Sequence, residues 1–127
     1  MSEKKQSCVL LADRHGGLTE GIRGLLEAAF GTVVMVADEV SLLEGASRLQ
    51  PEVAIVDLAL ARGTGLGWLG EMRKRCPGLK VIVLSVHDEQ AVRQAALNAG
   101  ADAFVLKRAI ATELLSAVDR VRVNQGA

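Results

Sequence analysis

The chain has 127 residues, 50% of them apolar, and a mean hydropathy of +0.26, which excludes a disordered polypeptide and allows one buried core but not two. Lysine plus arginine and aspartate plus glutamate each number 15, so the net charge is zero and gives no electrostatic reason to expect nucleic acid or an anionic membrane as a partner. No apolar run reaches membrane-spanning length, and MSEKKQS leads into a strand-length segment instead of a signal-peptide core, so a cytoplasmic domain is expected.

The first apolar run, CVLLA (Cys8–Ala12), has the length and content of a buried strand and runs straight into Asp13, Arg14 and His15. Leu18, Ile22, Leu25, Leu26 and Ala29 follow at helical spacing. TVVMVA (Thr32–Ala37) predicts a second strand, and Val40, Leu43, Ala46 and Leu49 predict the inner face of a second helix, with Pro51 just beyond it. VAIV (Val53–Val56) is the third strand and ends in Asp57. Leu69, Met72 and Cys76 mark the third helix, which stops before Pro77. KVIVLS (Lys80–Ser85) is the fourth strand, and Val92, Ala95, Ala96 and Ala99 the fourth helix, with Gly100 as its stop signal. AFVL (Ala103–Leu106) is the fifth strand and leads to Lys107. Leu114, Leu115, Val118 and Val121 complete the pattern with a fifth helix.

Aromatics are only 2% of the chain, so the core must be Val, Leu, Ile and Ala, the composition of parallel sheets covered by helices. Five strands alternating with five helices imply an α/β domain: a doubly wound parallel sheet with right-handed crossovers and helices on both faces. Cys8 and Cys76 lie inside apolar patterns without metal spacing and read as buried, reduced thiols.

Strands buried on both faces carry no charge along their length, so polar residues collect at their carboxyl ends, where open doubly wound sheets bind ligands. Here those ends carry Asp13, Asp57, Ser85 and Lys107. Paired carboxylates suit a hard cation such as Mg²⁺. A carboxylate can also accept a phosphoryl group as an aspartyl phosphate. A lysine would then neutralise the group, and a hydroxyl would hydrogen-bond one of its oxygens.

With these residues in place the chain resembles, over nearly its whole length, a response-regulator receiver domain of two-component signalling. LLADRH resembles the acidic-pair segment, VAIVDLALARGTG the phosphoacceptor strand and its loop, VIVLS the switch strand and GADAFVLK the lysine strand. PGLKVIVLSVHDE and NAGADAFVLK are most similar to receivers of the NarL/FixJ type, which precede a helix-turn-helix output domain. The resemblance implies one receiver domain over residues 1–127, with a core from about 7 to 123. It also implies a flavodoxin-like or CheY-like sheet of strand order 2-1-3-4-5 with five helices.

Carried over by position, Asp57 is the phosphoacceptor and Asp13 the first acid of the pair. Asp13, Asp57 and the carbonyl of Ala59 are the metal ligands. Ser85 is the hydroxyl that moves toward the phosphoryl group, Phe104 the aromatic switch residue, Lys107 the phosphate-binding lysine, and Gly65 the glycine that closes the loop. The implied partner is a histidine kinase or phosphotransfer protein. The implied role is that of a phosphoacceptor, at most assisting its own phosphoryl transfer and hydrolysis, and not an enzyme in the usual sense. A transcriptional regulator is expected, its DNA-binding domain not in this chain, so that no nucleic-acid contact is expected from these residues.

Two positions depart from the family pattern. Ala61 stands where a proline is usual, which loosens the acceptor loop. Arg14 stands where the second acid is usual, and that acid is a direct metal ligand. Asp13, Asp57, Arg14 and Lys107 make a pocket of net charge zero, where three acids and a lysine would make one of minus two. Two units of charge about 6 Å from a dication amount to roughly 3 kcal/mol even in water, about a hundredfold in affinity. Mg²⁺ is therefore expected to be weakly bound or absent. Three readings of Arg14 stay open at this point. It is a solvated arginine beside the pocket, or its guanidinium reaches Asp57 or Asp13 in place of the metal, or phosphorylation persists, slowly, around a poorly held cation. The second reading makes the domain a phosphorylation-independent protein-interaction module.

Other motifs carry less. GLGWLG (Gly65–Gly70) matches G-x-G-x-x-G, but a dinucleotide fingerprint needs its first glycine directly after a strand, and DLALARGT intervenes. GGLTEG (Gly16–Gly21) could cradle a flavin phosphate, yet tyrosine is absent and Trp68, the only tryptophan, lies on another helix. His15 and His87 have no partner at metal-ligand spacing. No serine sits in a nucleophile elbow. The alanine-rich helix VRQAALNAGA, with Phe104 and the last helix, suggests a face over residues 89–123 for self-association or a partner.

Overall fold

The computed structural model describes residues 7–14, 16–61 and 65–125. His15, weighed above as a metal ligand, lies outside them. Five strands form one parallel sheet: β1 (Cys8–Ala12), β2 (Thr32–Val36), β3 (Val53–Asp57), β4 (Lys80–Ser85) and β5 (Ala103–Leu106), in the order β2-β1-β3-β4-β5. Helices α1 (Gly16–Leu26), α2 (Glu39–Leu49), α3 (Gly67–Arg75), α4 (Gln90–Asn98) and α5 (Ile110–Gln125) alternate with them. Single 3-10 turns over Leu58–Ala61 and Lys107–Ala109 follow β3 and β5.

The pleat sends alternate residues to opposite faces, and each face has its own core. Leu10, Ala12, Ala54, Val56, Val81 and Val83 pack under α2, α3 and α4, through Leu42, Leu69, Met72 and Ala96. Val9, Leu11, Ile55, Ile82 and Leu84 pack under α1 and α5, through Ile22, Leu26, Leu114 and Val118. The expected three-layer arrangement and strand order are therefore present.

Three helix faces differ from the apolar spacing. On α2, Val40 and Leu49 are 71% and 44% exposed, whereas Leu42 and Ala46 are fully buried. The helix lies on the sheet along Leu42, Gly45 and Ala46, and a Cβ at Gly45 would come within 3.2 Å of both Leu10 methyls. A glycine that permits close approach is invisible to an apolar count. On α5, Leu115 faces outward and Ala117 inward, and on α4 only Ala96 is fully buried. Cys76 is buried as expected, but Cys8 is only partly so; burial pushes both thiols above their ordinary pKa, which makes them poor nucleophiles.

Helix ends follow local chemistry. Asp38 caps α2 by accepting a hydrogen bond from the Ser41 amide at 2.7 Å. Gly100 ends the α4 turn at φ +118°, a conformation open to glycine and strained for other residues. Arg73 ties this turn to the sheet, donating to the carbonyls of Gly100 (2.6 Å) and Leu79 (3.0 Å) and to Asp102 Oδ2 (2.5 Å). Gly100→Ala is therefore expected to cost about 1–2 kcal/mol and lower the melting temperature by about 3–6 °C. An unchanged melting temperature would show that the turn accommodates a Cβ without strain.

Candidate functional site

Strand register builds the site. The sheet reverses direction of growth at β1 and β3, where Ala12 pairs with Val56, so the next residues, Asp13 and Asp57, emerge side by side. Asp57 pairs with Leu84 and Ser85 with Leu106, which brings Ser85 and then Lys107 to the same edge. All four polar strand-end residues expected to converge do so.

Lys107 organises the group. Its ammonium, 12% exposed, lies 2.6 Å from Asp57 Oδ2 and 3.8 Å from Asp13 Oδ2. Asp57 Oδ1 accepts a hydrogen bond from the Ala59 amide at 3.0 Å, so the 3-10 turn after β3 orients the carboxylate. Both aspartates are buried, at 4% and 2% exposure. A cleft of about 310 Å³ opens beside them, lined by Asp57, Leu58, Ala59, Ser85, Val86, His87 and Lys107.

Ser85 lines this cleft, but its hydroxyl is turned to its own loop. It accepts from the His87 amide at 2.9 Å and donates to the His87 carbonyl at 3.3 Å. Phe104 is not at the cleft; it is buried in the core under α4, and the Arg93 guanidinium lies 5.6 Å from its ring centroid. Gly65 has φ +69°, as a loop-closing glycine requires. Residues 62–64 of the loop after β3, and the side chain of Ala61, lie outside the described residues.

Arg14 is exposed, and no hydrogen bond or ion pair joins it to any described residue. Of the three sequence readings, the guanidinium standing on Asp57 or Asp13 is not the arrangement seen; Lys107 has that place. The donor set also falls short of the metal site the resemblance implies. Two carboxylates face one ammonium, and among the described residues no group of three or more acidic, histidine or cysteine side chains could hold a metal ion.

Some site residues were not legible as such. Val86 gives no sign in the sequence, whereas His87 reads as a loop residue near the crevice; both line the cleft because the chain bends directly after β4. Arg108 and Asp88, 3.0 Å apart, join the loops after β5 and β4 near the cleft. Arg93 caps Phe104 from a different element. No spacing within a single segment signals any of these pairings.

Comparison with known proteins adds the following. Residues 9–119 match the response regulator receiver domain family. The chain is 32% identical over 120 residues to the nitrate/nitrite response regulator protein NarP of Escherichia coli, covering 93% of this chain and 56% of that protein. It is 36% identical over 115 residues to the transcriptional regulatory protein UhpA of Salmonella typhimurium, covering 89% and 57%. The chain thus spans about half the length of the curated relatives it matches. Among solved structures, it superposes on the signal receiver domain of the response regulator NarL from Mycobacterium tuberculosis with a TM-score of 0.78 at 29% identity, covering 91% and 94%. The non-phosphorylated receiver domain of RcsB from Escherichia coli gives 0.80 at 27% identity, covering 93% and 94%.

Proposed function

The chain belongs to the response regulator receiver domains of two-component signalling, and from that premise we infer that it takes a phosphoryl group on Asp57 from a histidine kinase or phosphotransfer protein. The supporting observation is the Lys107 ammonium, 2.6 Å from Asp57 and 3.8 Å from Asp13 at the mouth of the cleft. A buried carboxylate held by a cation beside an open cleft is a nucleophile whose product, an acyl phosphate, meets a positive charge as it forms. The domain acts as a phosphoacceptor that assists its own transfer and hydrolysis.

Conversion to a signal runs through Ser85. An anionic oxygen on Asp57 competes with the His87 backbone for the hydroxyl, and release of that turn frees the loop after β4. Phe104, on the strand beside β4, and the 89–123 surface are the elements this motion reaches first. That surface, with Leu115 exposed on α5, is the proposed contact for self-association or a partner. In a longer regulator of the NarP or UhpA kind, the response would pass to a DNA-binding domain.

Receiver domains generally use Mg²⁺ at this edge. Here, with Asp13, Asp57 and the Ala59 carbonyl as the ligands offered among the described residues and Arg14 in place of the second acid, the affinity for Mg²⁺ is expected to be low. A phosphorylation-independent module locked by Arg14 would need the guanidinium on the acceptor, a place Lys107 holds.

Intact mass after incubation with acetyl phosphate tests the assignment. One phosphoryl group is expected on the wild type and none on Asp57→Asn. Equal labelling of the two proteins would move the acceptor elsewhere.

A further inference from the structure

Among the described residues the edge where a divalent cation would sit is short of ligands, and the residue that follows Asp13 there is an exposed arginine. Asp13 and Asp57 are the buried carboxylates there, and Lys107 faces both. Among the described residues they are joined by no third metal-ligating side chain. Arg14, the residue after Asp13, is exposed and tied to no described residue, so its side chain can turn toward an incoming anion without breaking a described contact. We propose that Arg14 is a catalytic residue of the phosphoryl transfer: its guanidinium closes on the phosphoryl oxygens and makes phosphorylation of Asp57 independent of a divalent cation. This rests on the assignment of Asp57 as acceptor.

The chemistry matches the group. A guanidinium stays charged at all working pH values and offers two parallel N–H donors to two oxygens of a phosphoryl group. Transfer from acetyl phosphate needs no further reactant. An Asp57 carboxylate oxygen attacks phosphorus, the new P–O bond forms, the bond from phosphorus to the acetyl oxygen breaks, and acetate leaves with that electron pair. The work left to the protein is positioning and charge neutralisation, which an arginine at the reacting phosphate can supply. Lys107 meets one side of the transferred group and Arg14 the other, so two cations face a dianion. In the resting state the buried carboxylates are already served by Lys107, and the guanidinium remains hydrated.

Time courses of intact mass with acetyl phosphate, in Mg²⁺ and in EDTA, test this on the wild type, Arg14→Ala and Arg14→Asp, with Asp57→Asn as the blank. Wild-type labelling is expected to differ less than about twofold between Mg²⁺ and EDTA, and Arg14→Ala to be at least about tenfold slower in EDTA. Arg14→Asp is expected to label only with Mg²⁺ and to bind Mg²⁺ more tightly than the wild type by calorimetric titration. Loss of wild-type labelling in EDTA, or an Arg14→Ala rate equal to wild type there, overturns the proposal while leaving Asp57 as acceptor. No labelling of any protein in either condition overturns both.

Discussion

Lys107→Met is expected to slow phosphoryl incorporation by about a hundredfold and to lower the folding free energy by about 3 kcal/mol. Methionine keeps an unbranched stem of similar volume, so the change removes the ammonium and little packing. What remains is two buried carboxylates on adjacent strand ends, with no cation at 2.6 Å from one or 3.8 Å from the other. Removing one partner of a buried pair strands the other, and that desolvation cost, more than the lost attraction, sets the size of the effect. On the proposed function the same ammonium neutralises the acyl phosphate, which accounts for the rate. Urea unfolding and mass time courses measure the two quantities separately. The double variant Lys107→Met/Asp57→Asn is expected to regain much of the lost stability, since it removes one of two neighbouring buried negative charges. A Lys107→Met protein with wild-type rate and unfolding midpoint would remove Lys107 from the site.

Leu42→Ala is expected to destabilise the fold by about 3 kcal/mol, and Val40→Ala by less than about 0.5 kcal/mol. Both are aliphatic residues of α2, and the apolar spacing selects Val40. Leu42 is fully buried against the sheet, so its truncation loses transfer free energy and leaves a cavity between helix and strands. Val40, 71% exposed, loses almost nothing on truncation. Gly45→Ala belongs to the same contact line and adds a methyl group 3.2 Å from the Leu10 side chain, which must shift to admit it. Denaturant midpoints of the three variants check the ordering; a larger loss at Val40 than at Leu42 would mean that α2 packs through its other face.

The strands were close to fully legible, and their order came with the family resemblance. Four runs read as strands for their continuous apolar content match β1, β3, β4 and β5 within one residue, and β2 ends one residue early, at Val36. That accuracy has a physical basis. A strand covered on both faces must be apolar at every position, so its ends are announced by the first polar residue. The site benefits from the same rule, because Asp13, Asp57, Ser85 and Lys107 are those first polar residues. Helices are less legible: only one stripe is buried, and α2 shows that glycine and rotation about the axis choose the stripe. The Arg14 side chain was legible only as three open placements, of which the solvated one agrees with its exposure. Its neighbour in sequence is buried at the switch point while it points to solvent, and no local pattern separates the two.

By itself, the sequence determined the class of fold and the set of residues at the sheet edge, which follow from polarity along single segments and from their alternation, while the family came from the resemblance of segments such as LLADRH and GADAFVLK to receiver motifs. Only the tertiary structure decided which cation holds Asp57, where the Ser85 hydroxyl is spent and what covers Phe104. Those are contacts between segments 2 to 50 residues apart, set by register, side-chain rotamer and the roll of each helix on the sheet. Lys107 and Arg14 carry the same charge; the first faces both aspartates and the second follows Asp13 in the chain. Their difference is burial, and burial is a property of the packed chain.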